Sequence, residues 1–189
     1  MTAEQENILY TTIVDGFSIY ESLNTVEEFP DYFEETLNIW AQYLYTVLGQ
    51  GSDYNSEKFI ESKKAAVDII CLLLGRFSEF MKDYRQGFFD KIWGMLNALP
   101  QSKIFNEFVS SLTDFISISL RDSSCFNQIK EKLEDLFSNF LVFHMAFNAE
   151  DLEEFEGDEE AFIKMDLEEH DKETRRRSCF DLVKVQCDI

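Results

Sequence analysis

Residues 30–49 read PDYFEETLNIWAQYLYTVLG, and this stretch decides the fold class. Its large apolar side chains recur at steps of four, three, four and three, which is the spacing of one face of an α-helix. Pro30 suits the first turn of a helix, and Gly49 suits the position just after a helix end. We therefore predict one helix across this stretch, with an inward stripe of Phe33, Leu37, Trp40, Leu44 and Val47.

The same period recurs along the rest of the chain. Gly and Pro together number only nine among 189 residues, which favours helices over short strands joined by turns. We predict further helices at about residues 4–22, 56–82, 88–99, 102–121, 124–147 and 172–187. The inward residues are expected to be Leu9, Ile13, Phe17, Tyr20, Ile60, Val67, Ile70, Leu74, Phe77, Met81, Phe88, Ile92, Met95, Leu99, Phe105, Phe108, Leu112, Phe115, Ile129, Leu133, Leu136 and Phe140.

Successive helices with short joints are typical of two architectures, an up-and-down bundle and the stacked helical pairs of an α-solenoid. The last predicted helix has no partner helix after it, which we expect of a solenoid cut within its array. The sequence shows no strict repeat period, but HEAT-type repeats tolerate such irregularity.

Charge excludes several classes of function. The formal net charge is −20, and residues 150–171 hold twelve acidic side chains against one lysine. A field of this sign repels phosphate backbones, so we expect no nucleic-acid partner and favour basic ones. The first seven residues are polar and acidic and no apolar run is long enough to span a bilayer, so we expect a soluble intracellular chain with no membrane insertion.

Catalytic and cofactor motifs are missing from the sequence. The only two histidines, His144 and His170, form no metal-binding pair, and His144 is expected at the edge of the core. No phosphate-cradling glycine motif and no nucleophile elbow occur. The acids around Gly157 lack the spacing of an EF-hand. We therefore predict a protein that is not an enzyme and has no catalytic, cofactor or metal site.

Residues 149–171, which we term the acidic segment, interleave carboxylates with large apolar side chains. A purely solvating connector lacks such side chains, so we predict an ordered insertion that presents its acids to a basic partner. The acids expected to face that partner are Glu153, Glu154, Glu156, Asp158 and Glu159. Phe155 and Phe162 are expected to anchor the segment.

A run of three arginines, Arg175, Arg176 and Arg177, opens the last predicted helix. It is a weak match to a nuclear-localisation signal, and with Ser178 a weak match to a basophilic kinase site. Ion pairing of these arginines with the preceding acids is the plain structural interpretation. We expect them either to tie the acidic segment back or to meet acids on a partner.

Residues 153–184 resemble the CAS exportin family, a branch of the importin-β (karyopherin) family. This stretch reads EEFEGDEEAFIKMDLEEHDKETRRRSCFDLVK, and the family has a Phe-Glu-Asp element, a Tyr-Ile-Arg-Arg-Asp-Leu-Glu element and a Thr-Arg-Arg-Arg helix with Asp-Leu-Val in this order. Residues 20–24, 28–34, Trp40 and 89–93 agree in the same order. The family's second arginine after Ile is Met165 here and its first is Lys164, and the glycine that follows its Leu-Glu is lost near Glu169.

The resemblance implies a superhelix of HEAT repeats, with repeats in residues 1–148, an acidic insertion in residues 149–171 and the start of another repeat in residues 172–189. It implies a receptor that binds RanGTP and importin-α, exports importin-α, and shuttles between nucleus and cytoplasm. The acids named above, Lys164 and the three arginines would then contact Ran or another partner. The alternative is a stand-alone acidic helical module that chaperones basic proteins.

Overall fold

The computed structural model describes residues 11, 15–16, 18–19, 22–49, 57–167 and 174–187, and within these ranges all regular structure is helical. Two compact units divide the chain, Met1–Met95 and Leu96–Ile189. None of the described helices combines the length and apolar character needed to cross a bilayer. The helix predicted at residues 4–22 lies largely outside the described residues, as do all four of its inward side chains.

The first unit contains three long helices: α1 (Asp31–Gly49), α2 (Glu57–Arg76) and α3 (Arg85–Leu96, whose last residue is beyond the boundary). Residues 22–25 are also helical. The stripe that predicted α1 is confirmed, because Leu37, Leu44 and Val47 are buried while Phe33 and Trp40 are half-buried. Helix α1 packs on α2, where Ile60, Val67 and Ile70 are buried as predicted.

The predicted helix at residues 56–82 ends six residues early, at Arg76. From there the chain continues in turns in which the N–H of Phe80 bonds to the carbonyl of Phe77 and the N–H of Met81 bonds to that of Ser78, three residues back. This tighter winding keeps Phe77 and Met81 buried, so their predicted burial is correct although the helix type is not.

The second unit begins with a 3₁₀ turn (Lys103–Phe105), followed by α4 (Asn106–Arg121) and α5 (Ser123–Glu131). Next come α6 (Leu133–Asp135), a π-helix (Leu136–Leu141) and α7 (Val142–Met145). The acidic segment forms α8 (Ala149–Gly157) and α9 (Glu159–Leu167), and α10 spans Arg175–Cys187. Helix α10 packs mainly against α4 and α7.

The inward stripe of α4 is confirmed, but the prediction for residues 124–147 fails at one position. Ile129, Leu136 and Phe140 are buried, whereas Leu133 is 38% exposed. The helix breaks at Lys132, whose backbone has φ −108° and ψ 10°, and it then widens into π-helix. Both changes shift the phase of the helix faces, so a strict 3.6-residue period misplaces Leu133.

Candidate functional site

The candidate site is the acidic helix pair, α8 and α9, together with the first turn of α10. A reciprocal capping box begins α8: the N–H of Asp151 donates to the side-chain oxygen of Asn148 at 2.8 Å, and the N–H of Asn148 donates to the carboxylate of Asp151 at 2.9 Å. The carboxylate of Asp158 accepts the N–H of Ala161 at 2.9 Å and so caps α9. Two local caps therefore explain why so acidic a stretch is helical.

The predicted partner-facing acids all lie at the surface of this pair. Glu153, Glu156 and Glu159 are exposed, and so are Glu154 and Asp158. Glu154 also forms an ion pair with Lys103 of the 3₁₀ turn, and Asp158 serves as the cap of α9. The other three carboxylates lie in solvent, and among the described residues they make no contact that holds the pair.

The apolar side of the pair is built on aromatic rings. Phe162 is 5% exposed and meets the rings of Phe147 and Phe155 edge to face, each with a ring-centre distance of 5.7 Å. Phe155 is half-buried. Edge-to-face pairs of this kind stabilise beyond the area they bury, so the three rings hold α9 against α8.

The three arginines lie in three different environments. Arg175 is 1% exposed and forms an ion pair with Asp151, which is equally buried. Arg176 places its Nη1 2.8 Å from the Oδ1 of the same Asp151, and its side chain is 11% exposed. Arg177 is half-buried, with its Nε 4.0 Å from a carboxylate oxygen of Asp181.

Arg176 also joins the aromatic cluster. Its guanidinium carbon lies 5.2 Å from the ring centre of Phe147 and 4.8 Å from that of Phe162. A guanidinium over aromatic faces gains a cation–π attraction that is stronger where water is excluded. Arg176 of α10 therefore contacts both the carboxylate of Asp151 in α8 and the ring of Phe162 in α9.

Two buried side chains of this region, Asp151 and His144, have lowered pKa values. Burial alone would raise the pKa of Asp151, but the N–H of Asn148 and the guanidinium groups of Arg175 and Arg176 lower it below its ordinary value. His144 is fully buried, with its ring edge to face with Phe140 and Phe143. Burial, and then the charge of Arg175, lowers the pKa of His144 to about 4. The prediction that His144 lies at the edge of the core is therefore wrong.

A second set of contacts ties α8 to the residues before α4. The side chain of Asn148 donates to the carbonyl of Gln101 at 2.7 Å, and the hydroxyl of Ser102 lies 3.2 Å from a carboxylate oxygen of Glu150. The Ser102 contact is exposed to water, unlike the ion pairs of Asp151. The helix pair is thus held on two sides by contacts of different kinds.

Several predicted features fall outside this cluster or take another role. Lys164 is exposed on α9. The kinase-like arrangement is broken up, because Arg175 is buried and the Ser178 hydroxyl donates to the carbonyl of Thr174 at 3.1 Å. Asp151 is the central residue that the sequence analysis missed, although the pattern Asn148-x-x-Asp151 marks a capping box.

The described part of the chain contains no group of three or more His, Cys, Asp or Glu side chains that could hold a metal ion. What the cluster offers is an acidic surface of fixed orientation, backed by a buried ion pair and aromatic rings. This arrangement suits recognition of another protein, since an oriented charged surface sets encounter rate and register.

Comparison with known proteins gives one consistent result. The Cse1 family model matches residues 1–188. Exportin-2 from Homo sapiens is 27% identical over 189 residues, and exportin-2 from Drosophila melanogaster is 26% identical over 188 residues. These alignments cover 95% and 94% of this chain, but the chain spans only 19% of the length of these relatives.

A solved structure agrees in fold. The exportin Cse1 in its cargo-free, cytoplasmic state superposes with a TM-score of 0.77 at 21% identity, over 84% of this chain and 18% of that chain. The predicted all-helical, HEAT-type solenoid fold is thereby confirmed. Of the two architectures that successive helices allow, an up-and-down bundle and an α-solenoid, this match supports the solenoid.

Proposed function

The chain belongs to the Cse1 family, and from this premise we propose that it is a segment of a nuclear transport receptor of the exportin-2 type. Such a receptor binds RanGTP and importin-α together, carries importin-α out of the nucleus, and shuttles between nucleus and cytoplasm. It acts by binding and release, not by catalysis. The observation that carries this proposal is the match of the family model along residues 1–188.

The acidic surface of the helix pair is our candidate for a contact with a basic face of Ran. Glu153, Glu156 and Glu159 are exposed, and none of them caps a helix or forms an ion pair with another residue that the structure describes. Carboxylates that stay in solvent contribute chiefly to encounter rate and register, and their effect is screened by salt. Glu154 and Asp158 lie on the same pair of helices and add to the same field.

In this proposal, some of the cationic side chains near the acidic surface stabilise the fold and others contact the partner. Arg175 serves the fold, because its guanidinium is buried against Asp151. Arg177 and Lys164 have more access to water and are our candidates for contact with acids on a partner. Arg176 lies between the two groups, since it pairs with Asp151 and retains some exposure.

The proposal is tested by capture of Ran loaded with GTP or with GDP, with and without importin-α. The experiment uses this chain and, in parallel, the longest chain that contains its sequence. We expect the long chain to capture GTP-loaded Ran together with importin-α and to ignore GDP-loaded Ran. Capture of basic proteins regardless of nucleotide, with no preference for Ran, would support the stand-alone acidic chaperone instead.

The role of the acidic surface is tested separately by changing Glu153, Glu156 and Glu159 to Gln in the long chain. Exposed ion pairs are worth about 0.2–1 kcal/mol each, so affinity for GTP-loaded Ran should fall roughly tenfold, and less at high salt. The matched control changes three exposed acids of the first unit, Glu27, Glu28 and Glu35, to Gln. Equal effects of the two triple variants would show that only net charge matters.

A further inference from the structure

One carboxylate, that of Asp151, contacts three residues at two separate places in the second unit. It accepts the N–H of Asn148 at the start of α8, and it pairs with Arg175 and Arg176 at the start of α10. Asp151 and Arg175 are both 1% exposed. The two ends of this contact are 24 residues apart in the chain, so it joins elements that local sequence does not bring together.

A buried charge of this kind is costly to leave unpaired. Removing one partner of a buried ion pair leaves the other charge without water and without a counterion, and the loss far exceeds that of a surface pair. Without the charge of Asp151, Arg175 could not stay in its present position at low cost. The first turn of α10 would have to move away from α8 to hydrate the guanidinium.

The same movement would release α9. Arg176 contacts the rings of Phe147 and Phe162, and Phe162 is only 5% exposed on α9. If Arg176 leaves its position, the aromatic cluster loses its cation–π contacts, and the packing of α9 on α10 is weakened. The remaining contacts of α8, with Gln101, Ser102 and Lys103, lie nearer the surface and do not involve α10.

We propose that Asp151, Arg175 and Arg176 form a latch that holds the acidic helix pair against α10, and that loss of the charge on Asp151 releases the pair as one unit. The contacts with residues 101–103 then act as the hinge. The closed latch fixes the direction in which the exposed acids of the pair point. This inference rests on contacts within the second unit and does not depend on the proposed function.

The test is hydrogen exchange, followed by mass spectrometry, on the 189-residue chain and two single variants. Asp151→Asn keeps an oxygen that can accept the N–H of Asn148 but removes the charge. Asp158→Asn is the matched control, because Asp158 also caps a helix of the pair yet is exposed and pairs with no arginine. The fluorescence of Trp40 and Trp93 checks that the first unit is intact, since the chain has no other tryptophan.

We expect the amides of α8, α9 and the first turn of α10 to exchange together ~100-fold faster or more in Asp151→Asn, as loss of a buried counterion predicts. The control should stay within a few-fold of the original chain. A change confined to the first turn of α8 would mean that Asp151 is only a cap. Unchanged exchange in α9 and α10 would overturn the latch outright.

The double variant Asp151→Asn with Arg175→Met guards against a single variant that does not fold. It removes the uncompensated buried cation, so the second unit should regain its helical circular dichroism. The acidic helix pair should still exchange fast, since the charge of Asp151 then no longer holds Arg176. Exchange as slow as in the original chain would show that apolar packing, and not the ion pairs, holds the pair in place.

Discussion

Replacing Gly87 with alanine should destabilise the first unit, although alanine is the better helix former. Gly87 lies in α3, where a Cβ atom would overlap the hydroxyl oxygen of Tyr45 and lie 2.7 Å from its ring carbon Cζ. Two contacts hold the side chain of Tyr45 in this position. Its hydroxyl donates to the carbonyl of Tyr84 at 2.9 Å, and its ring stacks on that of Phe88 with centres 4.4 Å apart.

The expected magnitude follows from three terms. Displacing Tyr45 loses a hydrogen bond worth about 0.5–1.5 kcal/mol. Forcing an extra methyl group into a filled site costs about 1–3 kcal/mol. Alanine returns up to about 1 kcal/mol of helix propensity. We therefore expect Gly87→Ala to lower the free energy of unfolding by about 1–3 kcal/mol.

Gly94 is the matched control because it lies in the same helix and a Cβ atom there would meet nothing within 4 Å. Gly94→Ala should raise the free energy of unfolding by up to about 1 kcal/mol. The two variants are thus predicted to differ in sign although their chemistry and their helix are the same.

Urea unfolding followed by tryptophan fluorescence measures this difference. Trp40 and Trp93, the only tryptophans, both belong to the first unit, so the signal reports its unfolding. In a Tyr45→Phe background the overlap with the hydroxyl is gone, and the cost of Gly87→Ala should shrink. A Gly87→Ala variant as stable as Gly94→Ala would refute the reasoning, because it would mean that Tyr45 moves aside without loss.

Two further predictions concern pH. Burial, with a contribution from Lys91, lowers the pKa of Lys63 to about 8. Because the unfolded chain keeps this proton to a higher pH, the free energy of unfolding should rise from pH 8 towards 10. Urea unfolding at several pH values should show a smaller rise in Lys63→Met, and an equal rise would contradict the assignment. For His144, with its pKa lowered to about 4, the unfolded chain takes up the proton first as pH falls below about 6.5, so stability should fall between pH 6.5 and 4. Between pH 6.5 and 4, the free energy of unfolding of His144→Leu should fall by less than that of the original chain, and the difference should be at most about 3 kcal/mol. Thermal unfolding at several pH values measures it. The same fall in both chains would assign the acid sensitivity to carboxylates such as Asp151.

Much of the fold could be read from local patterns. Leu37, Leu44 and Val47 on α1 and Phe108, Leu112 and Phe115 on α4 are buried where their spacing predicts. This succeeds because a helix repeats every 3.6 residues, so neighbours in sequence determine which side chains share a face. The same logic fails at Leu133, where a break and a π-helix shift the phase in a way that no local spacing encodes.

The candidate site was only partly accessible from the sequence. The clustering of acids with Phe155 and Phe162 indicated an ordered acidic segment, and the resemblance to exporters indicated its setting. The run of arginines that contains Arg175 and Arg176 is compatible both with an internal tie and with a partner contact. Their distance from Asp151 in space, and its lack of exposure to water, can be obtained only from the folded chain.

The sequence by itself determined an acidic, all-helical chain and most of the buried side chains of the described helices, since helix period, caps and net charge are local or additive properties. Only the tertiary structure decided that Asp151 pairs with Arg175, 24 residues away, and with the adjacent Arg176, that His144 is fully buried, and that Tyr45 requires a glycine at position 87. These features depend on distances between helices. Such distances are set by how whole side-chain surfaces pack, and no spacing along one helix contains them.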